Sequence, residues 1–495
     1  MSINKHYLTK SDFLKYQTCP GYLWLWKNNK EVVPKDNPEE IERRIEQGNE
    51  VEGYARLLFP DGVLIEEKLE QAKNATTNLA NNGTNVIFQA TAITDEGLLA
   101  MADVLEREGD AWNIYEVKST TKIKKEHLID SAFQLVAFEN AGFKISKVHI
   151  VYLNKSYRRQ GKIVAKSLFT TEDITDKLHE IRSEIDLMTT DALIYIHKNE
   201  EPKTCSCRHK TKSNHCPTFS YFNPDIPEYS IYNLTRISEK KVNSLVDMDV
   251  FELDHIPEDF KLTEKQQNQV TVHLIKQALV DKARITEELN KLIFPLYFLD
   301  YETVSTAIPI FDNTWPYQQV AFQYSLHVQD GPEIEPRHYE YLAQKKDGHP
   351  IPGLLAQMKK DIGPTGSVIV WNKGFEMARN KEMAKDYPDY KDFLLGVNER
   401  VYDLMEIFST QLHVHPDYHG SVSIKYVLPV LAPDLSYKNL EDIQNGGIAT
   451  LRWYESVAKD MTETKRQEIY KNLLVYCELD TFAMYRIYQY LISII

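Results

Sequence analysis

The stretch Tyr297-Phe-Leu-Asp-Tyr-Glu-Thr303 decides how the rest of the chain is read. Leu296, Tyr297, Phe298 and Leu299 are apolar or aromatic and rich in strand formers, so the segment reads as a buried β-strand. Asp300 and Glu302 follow at its end, two residues apart. On a strand, side chains at i and i+2 share a face, so the two carboxylates stand side by side. Like charges this close raise each other's pKa unless a cation lies between them. A hard divalent metal with oxygen ligands meets that need. The plain alternative is a strand running into a solvated polar turn.

Two further stretches extend the pattern. VIVWNKGFE runs from an apolar strand, Val368 to Trp371, into Asn372, Phe375 and Glu376. Near the C-terminus LLVYCELDTFAMYRIY has helical periodicity and carries Tyr476 and Asp480, which at i, i+4 lie on one helical face. Strand D-x-E, then N-x-x-F-E after a second strand, then Y-x-x-x-D on a late helix, resembles the DEDD exonucleases of the DnaQ-like, RNase H-fold superfamily, in the branch marked by the tyrosine. The resemblance implies that Asp300, Glu302, Glu376 and Asp480 bind two Mg²⁺ or Mn²⁺ ions for phosphodiester hydrolysis, and that Tyr476 orients the attacking water. One position departs from the pattern: Glu376 stands where the family has Asp. Asp403 is a further acidic candidate. The turn Trp315-Pro316-Tyr317 and Gln318 read as lying over the site, where a ring would stack on a terminal base; core packing is the equal alternative. Asn372, Phe375 and Lys425 complete the expected substrate contacts.

The 495 residues suit two or three domains, and 42% hydrophobic content is that of an ordinary globular chain. No run approaches the roughly 20 apolar residues of a membrane span. MSINKHYLTKSDF has no signal-peptide core, so the expected location is cytoplasmic, with no membrane partner. The net charge of −14 argues mildly against a protein that wraps a duplex, and not against a nuclease. Basic stretches stand at 118–125, 155–162 and 203–212; such runs are usually solvated faces.

In the first 220 residues a capped helix near Ser11 precedes Cys19-Pro20, and a charged helix from about Pro38 to Phe59 carries Glu52. Asp103 sits in an alternating strand, and Glu116 and Lys118 flank Val117 on the next, projecting from one face. A helix from about Lys125 to Gly142 carries Gln134. Asp103, then Glu116-Val117-Lys118, then Gln134 four before Phe138, resembles the RecB-like branch of the PD-(D/E)XK nucleases. That likeness implies that Asp103 and Glu116 bind Mg²⁺ or Mn²⁺, that Lys118 activates the water, and that Gln134 supports the site. A ligand from an upstream helix, often His in such proteins, has no His to supply it here, and Glu52 is the substitute. The plain alternative is an amphipathic hairpin with surface charges.

Four of the five cysteines, Cys19, Cys205, Cys207 and Cys216, bracket this region. One N-terminal and three C-terminal cysteines around such a core resemble the iron–sulfur RecB-like nucleases, which implies a 4Fe-4S cluster. The C-x-C-x8-C spacing departs from those relatives. A zinc site using His209 or His215 is the alternative. Cys477 reads as a buried helix residue.

The whole chain resembles a bacterial family catalogued as domain of unknown function 2779, which joins a RecB-like front to an exonuclease-like back. The expected fold is α/β, with two mixed-sheet nuclease domains, one restriction-endonuclease-like (1–220) and one RNase H-like (291–495), joined by a helical linker (221–290). In the linker, a long helix is expected from about Thr263 to Leu292. The expected activity is metal-dependent cleavage of DNA ends or single strands, 3′ to 5′ in the back half, in repair or phage defence. The alternatives are a non-catalytic nucleic-acid-end binder and an RNA exonuclease.

Overall fold

Stretches in which apolar residues recur at strand period become the long strands of a mixed α/β protein. The computed structural model describes residues 7–35, 37–437, 440 and 442–495. They form two compact units. The first holds the described residues up to Glu228, with Ser238–Asp249 and Thr306–Tyr317; the second holds Tyr229–Ile237, Val250–Ser305 and Gln318–Ile495. The stretch 221–290, read as a linker, is therefore shared between the two.

The first unit is built on a seven-stranded mixed sheet of β1 (Leu8–Thr9), β2 (Val63–Leu64), β3 (Val86–Ile93), β4 (Leu98–Glu108), β5 (Ala111–Lys118), β6 (Ile145–Leu153) and β7 (Phe169–Asp173). Strands β2 to β7 lie in sequence order, and β1 pairs with β4. β4 and β5 are antiparallel neighbours, while β5 and β6 run parallel. A parallel pair needs a crossover, and the helix Lys125–Asn140 supplies it. That helix is buried from Asp130 to Phe138, because its apolar residues occupy more than one stripe and it is covered on both sides. Phe133, Phe138, Ile87, Leu105 and Ile150 are fully buried in the core it caps. Each such side chain contributes about 1.5–3 kcal/mol relative to an exposed one.

In the second unit five strands follow the order β11-β10-β9-β12-β13, where β9 is Leu296–Val304, β10 Val320–Gln329, β11 Arg337–Leu342, β12 Ser367–Val370 and β13 Val401–Asp403. β9, β10 and β11 form antiparallel pairs, and β12 and β13 add parallel to β9. β8 (Leu279–Val280) and β14 (His413–Val414) form a separate two-stranded ladder. The C-terminal helix, Glu463–Ile494, buries Leu473, Tyr476, Cys477 and Thr481. Gln323 on β10 donates to the Leu473 carbonyl at 2.9 Å, and Ser325 Oγ lies 2.7 Å from Thr481 Oγ1.

The long helix expected over 263–292 is two helices, Glu264–Ile275 and Lys282–Leu289, parted by β8. Lys276 adopts a left-handed conformation (φ 54°) that no helix interior accommodates, and it ends the first helix there.

Candidate functional sites

Strand period and helix period together assemble the second unit's site. β9 places Asp300 and Glu302 on one face, and its neighbour Tyr301 faces the other way to donate to Asn380 Oδ1 at 2.8 Å. The C-terminal helix brings Asp480 to the same point. One carboxylate oxygen each from Asp300, Glu302 and Asp480 lies within 4.8 Å of the other two. They line a cavity of about 240 Å³ together with Trp371, Asn372, Phe375, Glu376, Lys425 and Tyr476.

Glu376 enters from the first turn of the helix Lys373–Asp386, just after β12. The turn into that helix uses Asn372 at φ 80°, a conformation that Asn tolerates better than most residues. Asp403, at the end of β13, holds this turn. Its carboxylate accepts from the backbone N–H groups of Asn372, Lys373 and Met405 at 2.9, 3.0 and 3.2 Å. It therefore fastens two helix starts and does not line the cavity. Glu376 is 2% exposed, and its Oε2 has no hydrogen-bond partner among the described residues.

These carboxyls resist ionisation. Burial, then Asp480, Glu302 and Glu376, push Asp300 well above the usual carboxylate range. Burial and the Asp480 charge push Glu302 up to about 8. Burial pushes Glu376 up to about 8. Asp480 rises to about 6, because burial outweighs the hydrogen bond from Tyr437 and the Lys425 charge. Such a set is costly without a cation. An all-oxygen donor set with one buried carboxylate oxygen left without a partner among the described residues fits Mg²⁺ or Mn²⁺.

Sequence reasoning missed Tyr437, whose phenol donates to Asp480 Oδ1 at 2.6 Å, and nothing in its surroundings in the sequence marks it. It also read Cys477 as plain core; the thiol is buried, with Sγ 4.0 Å from Asp300 Oδ2. Two expected substrate contacts lie elsewhere. Tyr317 belongs to the first unit, where its hydroxyl donates to the Ser119 carbonyl at 2.7 Å. Gln318 is placed 3.4 Å from Asp386 and does not line the cavity.

In the first unit Asp103, Glu116, Lys118, Gln134 and Glu52 do come together. Asp103 Oδ2 accepts from the Val117 N–H at 2.8 Å, and Gln134 Nε2 donates to Glu116 Oε2 at 2.5 Å. Glu52 Oε1 accepts from Arg56 and from Gln89, and Gln89 reaches Asp103 Oδ1 at 3.3 Å. Lys10 and Lys118 both donate to Glu116 Oε1, at 2.6 and 2.7 Å, and Lys118 also pairs with Asp130. Lys10, Gln89 and Asp130 were not foreseen.

Burial would raise Glu116, but Lys10 and Lys118 outweigh it and hold it at about 2. Asp103, buried and beside Glu116, rises to about 8. These acids are not among the groups of described residues whose ligand atoms gather within 4.8 Å. Lysines and amides satisfy them instead, so the metal fit here is weaker than in the second unit.

The four cysteines meet, as the resemblance to iron–sulfur nucleases implied. Cys19, Cys205, Cys207 and Cys216 are buried, free of disulfides, and packed against Tyr22, Phe219 and Phe222. Cys205 Sγ lies 3.5 Å from both Cys19 Sγ and Cys216 Sγ. Hydrogen bonds within the group hold Cys19 below the usual thiol range and push Cys205 and Cys216 above it, so the four thiols titrate together. His215 is turned away, stacked on Phe219 and bonded to the Lys210 carbonyl. A single tetrahedral ion of the zinc type sets its sulfurs about 3.8 Å apart, near the observed spacing. A four-iron cluster bonds each thiolate to a different iron and needs the side chains spread further. The four thiols are a donor set for either group.

Comparison with known proteins adds kinship without a named activity. The family model described as "Domain of unknown function (DUF2779)" matches residues 297–423. That interval contains Asp300, Glu302 and Glu376 and ends before Tyr476 and Asp480. An uncharacterized protein of Ureaplasma parvum is 27% identical over 280 residues, which is 52% of this chain and 40% of the relative. An uncharacterized protein of Mycoplasma genitalium is 27% identical over 224 residues, 42% of this chain and 33% of the relative. The chain thus spans less than half the length of these curated relatives. Among the described residues, no helix is long and apolar enough to cross a membrane.

Proposed function

We propose that this protein is a metal-dependent nuclease that hydrolyses DNA from 3′ ends or single strands through the second unit, with a RecB-like nuclease site in the first. The observation that carries the reading is the gathering of Asp300, Glu302 and Asp480 within 4.8 Å, beside the buried Glu376, whose Oε2 has no hydrogen-bond partner among the described residues. A fold gains nothing from four neighbouring carboxyls, two of them buried and two half-buried, unless a cation neutralises them.

Bound Mg²⁺ or Mn²⁺ would supply Lewis acidity and a water of lowered pKa. The chain's own residues do the rest. Asp300, Glu302, Glu376 and Asp480 hold the charge balance. Tyr437 fixes the Asp480 carboxylate by its 2.6 Å bond. The Tyr476 phenol is held protonated by burial and by Asp480, and so acts as a hydrogen-bond donor that orients the attacking water. Among the described residues, Lys425 is the one cationic side chain lining this cavity, and it places positive charge for a phosphate. Phe375 and Trp371 offer faces for a terminal base.

In the first unit Lys118 is the group that positions a water beside Glu116, and the thiolates hold a 4Fe-4S cluster or zinc. The test is degradation of 3′-labelled and 5′-labelled single-stranded DNA in Mn²⁺ by wild type, Asp300→Ala and Glu116→Ala, all purified without oxygen. Loss of a distinct part of the product ladder in each variant supports two active sites. Intact substrate with wild type, for DNA and RNA alike, would overturn the proposal.

A further inference from the structure

A second polar cluster lies in the second unit, on the face of β10 and β11 that the C-terminal helix covers. His327 on β10 and His338 on β11 are directly paired across the ladder. Glu478 on the helix completes the group. One ligand atom from each lies within 4.8 Å of the other two.

The hydrogen bonds fix the tautomers. Thr481 Oγ1 donates to the Glu478 backbone carbonyl at 3.1 Å, which uses its only proton. It must therefore accept from its other two neighbours, His327 Nδ1 at 2.8 Å and Ser325 Oγ at 2.7 Å. Ser325, having given its proton to Thr481, accepts from His338 Nε2 at 2.9 Å. Both imidazoles thus carry their proton on the nitrogen that faces the Ser–Thr pair. His327 Nε2 and His338 Nδ1 are left as bare lone pairs, and the Glu478 carboxylate lies 3.7 Å from the latter. Burial, with His338 beside it, keeps His327 neutral, pushed down to about 3. His327 Nε2, His338 Nδ1 and the Glu478 carboxylate are the donors that this cluster leaves for a cation. The Thr481 hydroxyl that holds His327 Nδ1 is the kind of support a metal-bound histidine requires.

We infer that His327, His338 and Glu478 form a binding site for a divalent transition metal of the zinc type. Two imidazoles and one carboxylate suit zinc better than Mg²⁺, and leave a fourth position for water. The rings now stack at 4.6 Å, so His338 must turn to share an ion with His327. That turn gives up its 2.9 Å bond to Ser325, and there is room for it: the His338 side chain is 23% exposed and that of Glu478 49%. The ion would pin the β10–β11 hairpin to the helix that carries Tyr476 and Asp480. The site is separate from the Asp300 cavity, and its test needs no nuclease activity.

The experiment is equilibrium dialysis of the whole protein against micromolar zinc with excess Mg²⁺, followed by metal analysis. Wild type is compared with His338→Ala and Glu478→Gln, both at partly exposed positions. The cysteine group is untouched in all three and contributes the same background. Each variant should retain one zinc per chain fewer than wild type. Equal zinc in wild type and in either variant overturns the site.

Discussion

At the scale of single residues, the carboxyls of the second unit tie stability to pH. Asp300 lies well above the usual range, and Glu302 and Glu376 lie near 8. In the unfolded chain such groups titrate near 4. Between those values the folded state holds protons that the unfolded state has released, so stability falls as pH rises toward 8. Two buried histidines act the other way: His327 near 3 and His413 near 4 destabilise the fold only as pH drops below about 6.5. In the second unit the window from 6.5 to 8 therefore belongs to the carboxyls. The second unit of metal-free protein in chelator should melt at a lower temperature at pH 8 than at 6.5, Mn²⁺ should flatten that slope, and Glu302→Gln should raise its metal-free Tm at pH 8. A flat metal-free profile would contradict the stacked carboxyls. For activity, Tyr476→Phe should slow the second unit on the order of 10²-fold while Mn²⁺ binding persists, read from single-turnover rates and calorimetry. The acids of D-x-E and Y-x-x-x-D were legible because strand and helix periods are local. Lys10 was not, since it reaches Glu116 across 106 positions of chain, and no local pattern encodes that distance.

At the scale of elements, the strands were legible where apolar residues repeat, and the helices where capping and periodicity agree. The reading failed at 263–292, where the mixed charge looked continuous while the backbone at Lys276 turned left-handed. It was incomplete at Asp403. The residue read only as a further acidic candidate, because sequence shows the charge and hides the three N–H groups pointed at it. Those bonds predict what its loss does. Asp403→Ala strands the starts of two helices, one of which carries Glu376, and should cost about 1–2 kcal/mol or more in urea unfolding of the second unit. Asp403→Asn keeps one acceptor oxygen and should cost less. If Asp403→Ala leaves stability intact and abolishes only metal binding, the capping role is wrong and the ligand role returns.

At the scale of the molecule, the resemblance to iron–sulfur nucleases implied that the ends of the first unit meet, and Cys19 and Cys205, 186 positions apart, lie 3.5 Å from sulfur to sulfur. The sequence could not announce that the same unit takes in Thr306–Tyr317, a segment that leaves β9 and returns to β10. A hairpin connection reads as a surface loop, and only its partners reveal otherwise. Ala307 and Ile308 are buried with Val51, Ala55, Val151, Leu153 and Leu168, and Arg159 donates to the Pro309 carbonyl at 2.8 Å. Cutting the chain at 220 would strip that cluster of Ala307 and Ile308. The decisive variant lies in the half of the sequence that carries the carboxylate site. Ile308→Ala removes a side chain that is 3% exposed and should cost about 2–5 kcal/mol. That loss belongs to the first unit, so calorimetry should show its transition move down while the second unit's stays in place. Cys207→Ser should move the same transition, because metal held by the thiolates is folding free energy for the unit they close. If Ile308→Ala shifts only the transition that Asp403→Ala shifts, the segment belongs energetically to the second unit, and the boundary drawn through Ser305 and Gln318 is misplaced.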